Sequence, residues 1–229
     1  MFQRLDGHRW SLDDLVTAWV ALRGAGSVHR ALDLGCGIGS VLMMVAWGLP
    51  SARVLGVEAQ DLSFGLCRRS LAYNGLQDRV EVRHGDLRDP ELVTESGFDL
   101  VTGTPPYFDV RDGVVSDMPQ KGPCRFETRG GVEAYCEAAA RTLADGGRFV
   151  VCEDARQAAR VLEAAAATGL HVHTQLDVIP KEGKPPLFAV FELGRSPGEL
   201  ERGTLTVRDR GDRRTPEFRA LRRRMGIPE

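Results

Sequence analysis

An apolar run, Ala31-Leu32-Asp33-Leu34, breaks at Gly35-Cys36-Gly37-Ile38-Gly39-Ser40 and resumes as a second apolar run from Val41 to Trp47. Such punctuation predicts a strand, a tight loop and a helix in succession. Glycine at every second position lets the backbone turn sharply and admits a ligand without a Cβ in the way. The free amides at the following helix start favour a polar or anionic group. A dinucleotide fingerprint spaces its glycines G-x-G-x-x-G, whereas Gly39 falls one residue early here. The loop alone therefore points to a nucleotide-sized cofactor without saying which.

Three acids follow the same logic. The spacing predicts a second strand over 53–58 ending in Glu58, 23 residues beyond Gly35. There a carboxylate can accept from both hydroxyls of a ribose. A helix over 61–73, stopped by Asn74-Gly75, leads to a third strand over 79–84 that ends in Gly85-Asp86-Leu87. Asp86 is placed to accept from an exocyclic amine, with Leu87 packing on the ring. In a doubly wound sheet the carboxyl ends of the strands converge, so Asp33, Glu58 and Asp86 are expected to line one pocket.

A fourth strand, Phe98-Asp99-Leu100-Val101, runs into Thr102-Gly103-Thr104-Pro105-Pro106-Tyr107-Phe108. Two consecutive prolines forbid helix and fix an extended backbone whose carbonyls stay available. Beside an aromatic pair, these make a clamp for a planar amine. Residues 109–131 lack periodicity and read as a loop near the substrate. Then come a helix over 132–143, a turn at Asp145-Gly146-Gly147, a fifth strand over 148–152 and an alanine-rich helix over 155–167. Two more strands, 171–179 and 187–193, have no helix between them and should pair antiparallel. Upstream, Ser11 and Asp14 form a capping box before the stripe Leu12, Leu15, Val16, Trp19 and Val20, with Gly24 as the stop. The expected fold class is α/β, a Rossmann-like seven-stranded sheet, parallel with a C-terminal antiparallel hairpin.

At 229 residues and 42% hydrophobic content, one domain is expected, with a cap helix over 1–29, a core over 30–194 and a basic extension over 195–229. The longest apolar runs fall well short of the roughly 20 residues that span a bilayer. The first residues carry Arg4, Asp6 and Arg9 instead of a signal sequence. A cytoplasmic protein with no membrane contact is expected. Five scattered cysteines without a C-x-x-C pair suggest neither disulfides nor zinc, and His171 and His173 lack a third ligand, so no metal is expected. Net charge is −2, yet from Arg202 to Arg224 nine arginines face three acids. That stretch reads either as a solvated helix face or as a phosphate-contacting surface.

The pattern D-x-G-x-G-x-G at Asp33 to Gly39 resembles motif I of class I S-adenosylmethionine methyltransferases, and Thr104-Pro105-Pro106-Tyr107 resembles their motif IV for exocyclic amines. Further pieces are Gly7-His8-Arg9-Trp10-Ser11-Leu12-Asp13, Gly56-Val57-Glu58, Arg125-Phe126-Glu127, Gly183-Lys184-Pro185 and Thr215-Pro216-Glu217-Phe218-Arg219-Ala220. In that order they resemble the bacterial tRNA (adenine-N6)-methyltransferases that act next to the anticodon of a valine tRNA. The resemblance implies S-adenosylmethionine held by Asp33, Gly35, Cys36, Gly37, Gly39, Glu58, Ala59, Asp86, Leu87 and Thr104. It implies catalysis by Thr104, Pro105, Pro106 and Tyr107. It also implies tRNA bound by Tyr107, Phe108, Arg125, Lys181, Lys184, Arg222 and Arg223, with Tyr107 or Phe108 stacking on the target base. Thr104 stands where the family carries Asn, a shorter hydroxyl in place of an amide carbonyl, and Phe126 where His is expected. Two other functions stay open on these residues: methylation of a protein amide or small molecule, and a non-catalytic homologue that binds S-adenosylmethionine or RNA. The oligomeric state is not legible.

Overall fold

Strand β1 (Arg30–Leu34) is buried at four of its five positions, and a strand apolar on both faces can sit only inside a sheet covered on both sides. In the computed structural model, which describes residues 1–5, 9–107 and 130–228, it occupies that place. It pairs in parallel with β2 (Arg53–Glu58) on one side and β4 (Phe98–Gly103) on the other. The remaining strands are β3 (Val80–His84), β5 (Leu143–Asp154), β6 (His171–Ile179), β7 (Phe188–Gly194) and β8 (Glu201–Thr206). Their order across the sheet is β3-β2-β1-β4-β5-β7-β6-β8. The chain builds outward from β1 to β3 and then jumps back to β4. The carboxyl ends of β1 and β4 therefore flank a topological switch point, where α/β sheets open a crevice.

The expected hairpin is present: β7 runs antiparallel to both β5 and β6. An eighth strand was not expected. β8 adds in parallel to β6 as an edge strand, exposed at its first four positions. The fifth strand is also longer than expected, because the turn at 145–147 is absorbed into β5 with a register shift against β4.

Side chains alternate along β5, so Val150 and Cys152 enter one core cluster while Phe149 and Val151 enter the other. The first cluster is covered by α1 (Leu12–Leu22), α2 (Ser40–Gly48), α3 (Asp61–Tyr73) and α6 (Pro216–Arg224). The second is covered by α4 (Val132–Thr142) and α5 (Ala158–Ala167). Helix α1 starts as the capping box requires, the Ser11 N–H donating to Asp14 Oδ2 at 2.9 Å.

The basic extension packs on the core through one face of α6. Thr215 caps that helix, its hydroxyl accepting from the Phe218 N–H at 3.2 Å, and Phe218, Leu221 and Met225 are buried in the first cluster. Spacings of three and four residues put these on one stripe, leaving Arg223 and Arg224 exposed on the other. Phe218→Ala should destabilise the protein by about 3–5 kcal/mol, whereas Arg224→Ala should change stability by less than about 0.5 kcal/mol. Urea unfolding of the two variants checks this, and equal effects would mean that the helix is not docked as described.

Candidate active site

The loop leaving β1 carries three left-handed glycines, and each is required for a different reason. A Cβ on Gly35 (φ +60°) would stand 2.2 Å from Tyr135 Oη, and one on Gly39 (φ +87°) would stand 2.8 Å from Cys67 Sγ. Those two permit close packing behind and beside the loop. A Cβ on Gly37 (φ +57°) would meet nothing within 4 Å, because it would project into the crevice. The loop is fastened to β2 by the Cys36 N–H, which donates to the Val57 carbonyl at 2.8 Å. Glu58 completes the attachment. Its Oε2 accepts from the Gly37 N–H at 2.8 Å and its Oε1 from the Gln60 N–H at 2.7 Å.

Above this loop lies a cavity that encloses about 800 Å³, its open mouth included. Of the residues expected at the cofactor, it brings together Gly35, Cys36, Gly37, Glu58, Ala59, Asp86, Leu87 and Thr104, with Pro106 of the clamp beside them. The residues fit S-adenosylmethionine on one structural observation: at Gly37 the backbone offers open space, next to a carboxylate at the tip of β2. Gly39 serves packing instead.

Asp33 is not part of this lining. It is 2% exposed, and its Oδ1 accepts from the Thr102 hydroxyl at 2.7 Å. Burial pushes its carboxyl up to about 7 against the lowering effect of that hydrogen bond. The expectation that all three strand-end acids face the pocket thus fails for Asp33, because it points sideways into the β1–β4 layer. Asp86 does reach the cavity, but it is engaged by Arg88, whose Nε and Nη2 donate to Oδ1 and Oδ2 at 2.9 and 2.7 Å. A ligand amine would share that carboxylate with a guanidinium.

Tyr107 also differs from expectation. Its hydroxyl donates to Asp13 Oδ2 at 3.0 Å and lies 3.0 Å from Cys152 Sγ. Its carbonyl accepts from Gln157 Nε2. Burial and the neighbouring Cys152 and Asp13 push the phenol well above its ordinary range. Tyr107 does not line the cavity, so the stacking platform expected of it is replaced by an inward anchor. A buried phenol O–H needs an acceptor, and α1 supplies one. Pro105 is buried behind the clamp. Phe108 and Arg125 lie outside the described residues.

The other expected substrate residues sit apart from the cavity. Asp154 pairs with Phe188, Val178 with Phe188, and Ile179 with Thr206. These pairings carry the turn after β6, with Lys181 and Lys184, to the crevice end of the sheet. There the Glu182 N–H donates to the Arg208 carbonyl at 2.8 Å, and Lys181 Nζ lies 3.5 Å from Asp212 Oδ1. Arg222 and Arg223 are on α6, and Arg222 donates to the Pro228 carbonyl at 3.0 Å through Nε.

Among the cavity residues with polar side chains, sequence reasoning missed four: Asp14, Ser40, Gln60 and Tyr135. Asp14 was accounted for by its capping box, and Gln60 follows Glu58 and Ala59 closely enough to have been included. Tyr135 had no signal beyond an aromatic on a helix. No cluster of three or more His, Cys, Asp or Glu that could hold a metal occurs among the described residues, and none of their helices is long and apolar enough to cross a membrane.

Comparison with known proteins agrees with this geometry. Residues 20–174 match the model of the methyltransferase small domain family. A tRNA1(Val) (adenine(37)-N6)-methyltransferase of Bacteroides thetaiotaomicron is 31% identical over 173 residues, covering 75% of this chain and 70% of the relative. One of the same name from Tolumonas auensis is 27% identical, covering 89% of this chain and 83% of its own length. Among solved structures, a predicted O-methyltransferase from Agrobacterium tumefaciens superposes with a TM-score of 0.71 over 95% of this chain and 98% of its own, at 21% identity.

Gly37→Val places a branched side chain in the open space above the loop and strains a left-handed position. It should lower affinity for S-adenosylmethionine by at least about 100-fold, equivalent to roughly 2.7 kcal/mol. Calorimetry on a variant with native far-UV dichroism checks this, and unchanged affinity would put the cofactor elsewhere.

Proposed function

The chain belongs to the methyltransferase small domain family and, by its 31% identity over 75% of its length, to the tRNA1(Val) (adenine(37)-N6)-methyltransferases. From that premise we propose that it transfers the methyl group of S-adenosylmethionine to the exocyclic amine of an adenine in tRNA. The observation that carries this reading is a single cavity that joins the glycine loop and Glu58 to Thr104 and Pro106. A methyl donor and an amine held in one crevice react by in-line displacement, where positioning and exclusion of water provide most of the acceleration. S-adenosylmethionine supplies an already electrophilic methyl on a sulfonium.

The chain's own residues then act on the acceptor. The Thr104 hydroxyl accepts a hydrogen bond from the adenine amine and turns its lone pair toward the methyl group. The Pro105 carbonyl accepts the second N–H. Tyr107 holds the clamp from beneath through Asp13 and Gln157. The proton lost on alkylation passes to water, so no strong base is needed. The tRNA backbone is carried by Lys181 and Lys184 at the crevice end of the sheet and by Arg222 and Arg223 on α6. The cap helix, the core and the basic extension act as one domain.

The decisive experiment incubates the purified chain and labelled S-adenosylmethionine with unmodified total tRNA and, separately, with total protein. Transfer to tRNA as N6-methyladenosine is expected. Transfer to protein alone would replace the proposed acceptor, and no transfer to either by a chain that binds the cofactor would make it a non-catalytic homologue. Within the proposal, Thr104→Val removes the hydroxyl at near-constant volume and should lower kcat on the order of 100-fold, a larger effect than on cofactor affinity. Binding of tRNA should weaken steeply with salt, and replacing Lys181, Lys184, Arg222 and Arg223 with alanine should flatten that slope. Equal slopes for parent and variant would assign these residues to a solvated surface.

A further inference from the structure

Helix α1 brings a third acid, beside Glu58 and Asp86, to the cofactor cavity. Asp14 is 6% exposed and lines it together with Ser40, the first residue of α2 after the β1 loop, whereas Asp86 and Leu87 line it from the end of β3, two strands away from β1 in the sheet. Its carboxylate accepts from the Ser11 N–H and from the Ser40 side chain. The charged groups facing it are Asp13 on its own helix and Asp33 from β1. Among the described residues that line the cavity, Asp14, Glu58 and Asp86 are acidic and none is basic. An acid-lined, partly buried site of this kind calls for a cationic ligand group.

We propose that Asp14 receives the α-ammonium of the amino-acid end of S-adenosylmethionine. The assignment rests on the cofactor reading above. The cofactor carries two cations, and the chemistry of the site separates them. An ammonium has three N–H donors for a carboxylate, whereas a sulfonium has none and must face Thr104 and Pro106, where the methyl leaves. If the adenine lies at Asp86 and Leu87 and the ribose at Glu58, the amino-acid end of the molecule extends past the glycine loop toward Ser40 and Asp14.

The same placement predicts a proton linkage. Burial, with Asp13 adding to it, pushes the Asp14 carboxyl up to about 8. Without ligand it is therefore mostly protonated at neutral pH. A cation beside it favours the ionised form, so binding at pH 7 should release about one proton from this group, and affinity should rise with pH until the ligand's own ammonium deprotonates.

The test measures, by calorimetry on the full chain, the affinity of the parent and of Asp14→Asn for S-adenosylmethionine, S-adenosylhomocysteine and 5′-methylthioadenosine. Asparagine is nearly isosteric, and its oxygen can still accept from the Ser11 N–H, so α1 keeps its cap. S-adenosylhomocysteine retains the ammonium but not the sulfonium charge, and methylthioadenosine retains neither. The expected result is that the first two ligands weaken together by roughly 10–100-fold, as for loss of a charge-assisted hydrogen bond, while the third is unchanged. Proton release at pH 7, read from buffers of different ionisation enthalpy, should fall by about one in the variant. Equal weakening of all three would make Asp14 a structural residue, and weakening of S-adenosylmethionine alone would assign it to the sulfonium. Unchanged affinities, or an unchanged proton count, would overturn the assignment. If the parent binds none of the three, the cofactor reading falls first and this assignment with it.

Discussion

The carboxylate of Glu58 holds the active end of the molecule together. It is 5% exposed, yet it sits between two loops whose backbone amides, Gly37 and Gln60, converge on its two oxygens at 2.8 and 2.7 Å. A buried carboxylate without such donors would be costly, and two loops without such an acceptor would have no reason to keep their spacing. The pairing explains why the turn after β1 can be so open at Gly37 and still be well defined. Packing fixes its ends at Gly35 and Gly39, and a charged hydrogen bond fixes its middle. Every other group at the cavity is placed relative to that frame.

Helix α1 lies across the frame and connects its two working parts. One residue of its first turn, Asp13, holds the Tyr107 hydroxyl, and the next, Asp14, faces the cavity. Adjacent helical positions point about 100° apart, which is why one turn can serve both the motif IV clamp and the cofactor end of the crevice. Tyr107 in turn is tied at its hydroxyl to α1 and at its carbonyl to Gln157, just ahead of α5. The rigidity of the clamp therefore comes from helices on opposite faces of the sheet as well as from its prolines.

Much of this was legible in the sequence because it follows from periodicity and strand ends. The apolar runs at β1, β2 and β4, the glycine loop and the helices between the strands all appear where spacing put them, and the residue types at Gly37, Glu58 and Thr104 were sufficient to nominate them. What was not legible follows from physics that a linear pattern does not carry. The segment Glu201–Thr206 is a polar edge strand, exposed at four of six positions, and has no alternation to reveal it. Asp33 and Glu58 look alike as acids near strand ends, but Asp33 sits within its strand and is turned toward Thr102, whereas Glu58 ends its own. Tyr107 follows two prolines like any exposed clamp aromatic, and only the arrival of α1 shows that its hydroxyl faces inward. Asp14 already had a complete local explanation as a capping residue, which concealed its second role.

The net charge of −2 conceals a division that the proposed reaction requires. A cationic cofactor and a polyanionic acceptor must meet within a few ångström, and a surface of uniform sign would repel one of them. The chain separates the two demands by depth and by place. Acids line the cavity, where partial burial strengthens their effect on a small cation. Basic groups cluster on exposed turns and on the outer stripe of α6, where they can act on a phosphate chain over longer range, and where several already pair with Asp209, Asp212 or Glu182. Those internal pairs keep the basic edge from opposing its own folding. They also make it a surface whose partner must displace weak, solvent-screened contacts, consistent with an acceptor that has to bind and leave once per methyl transfer.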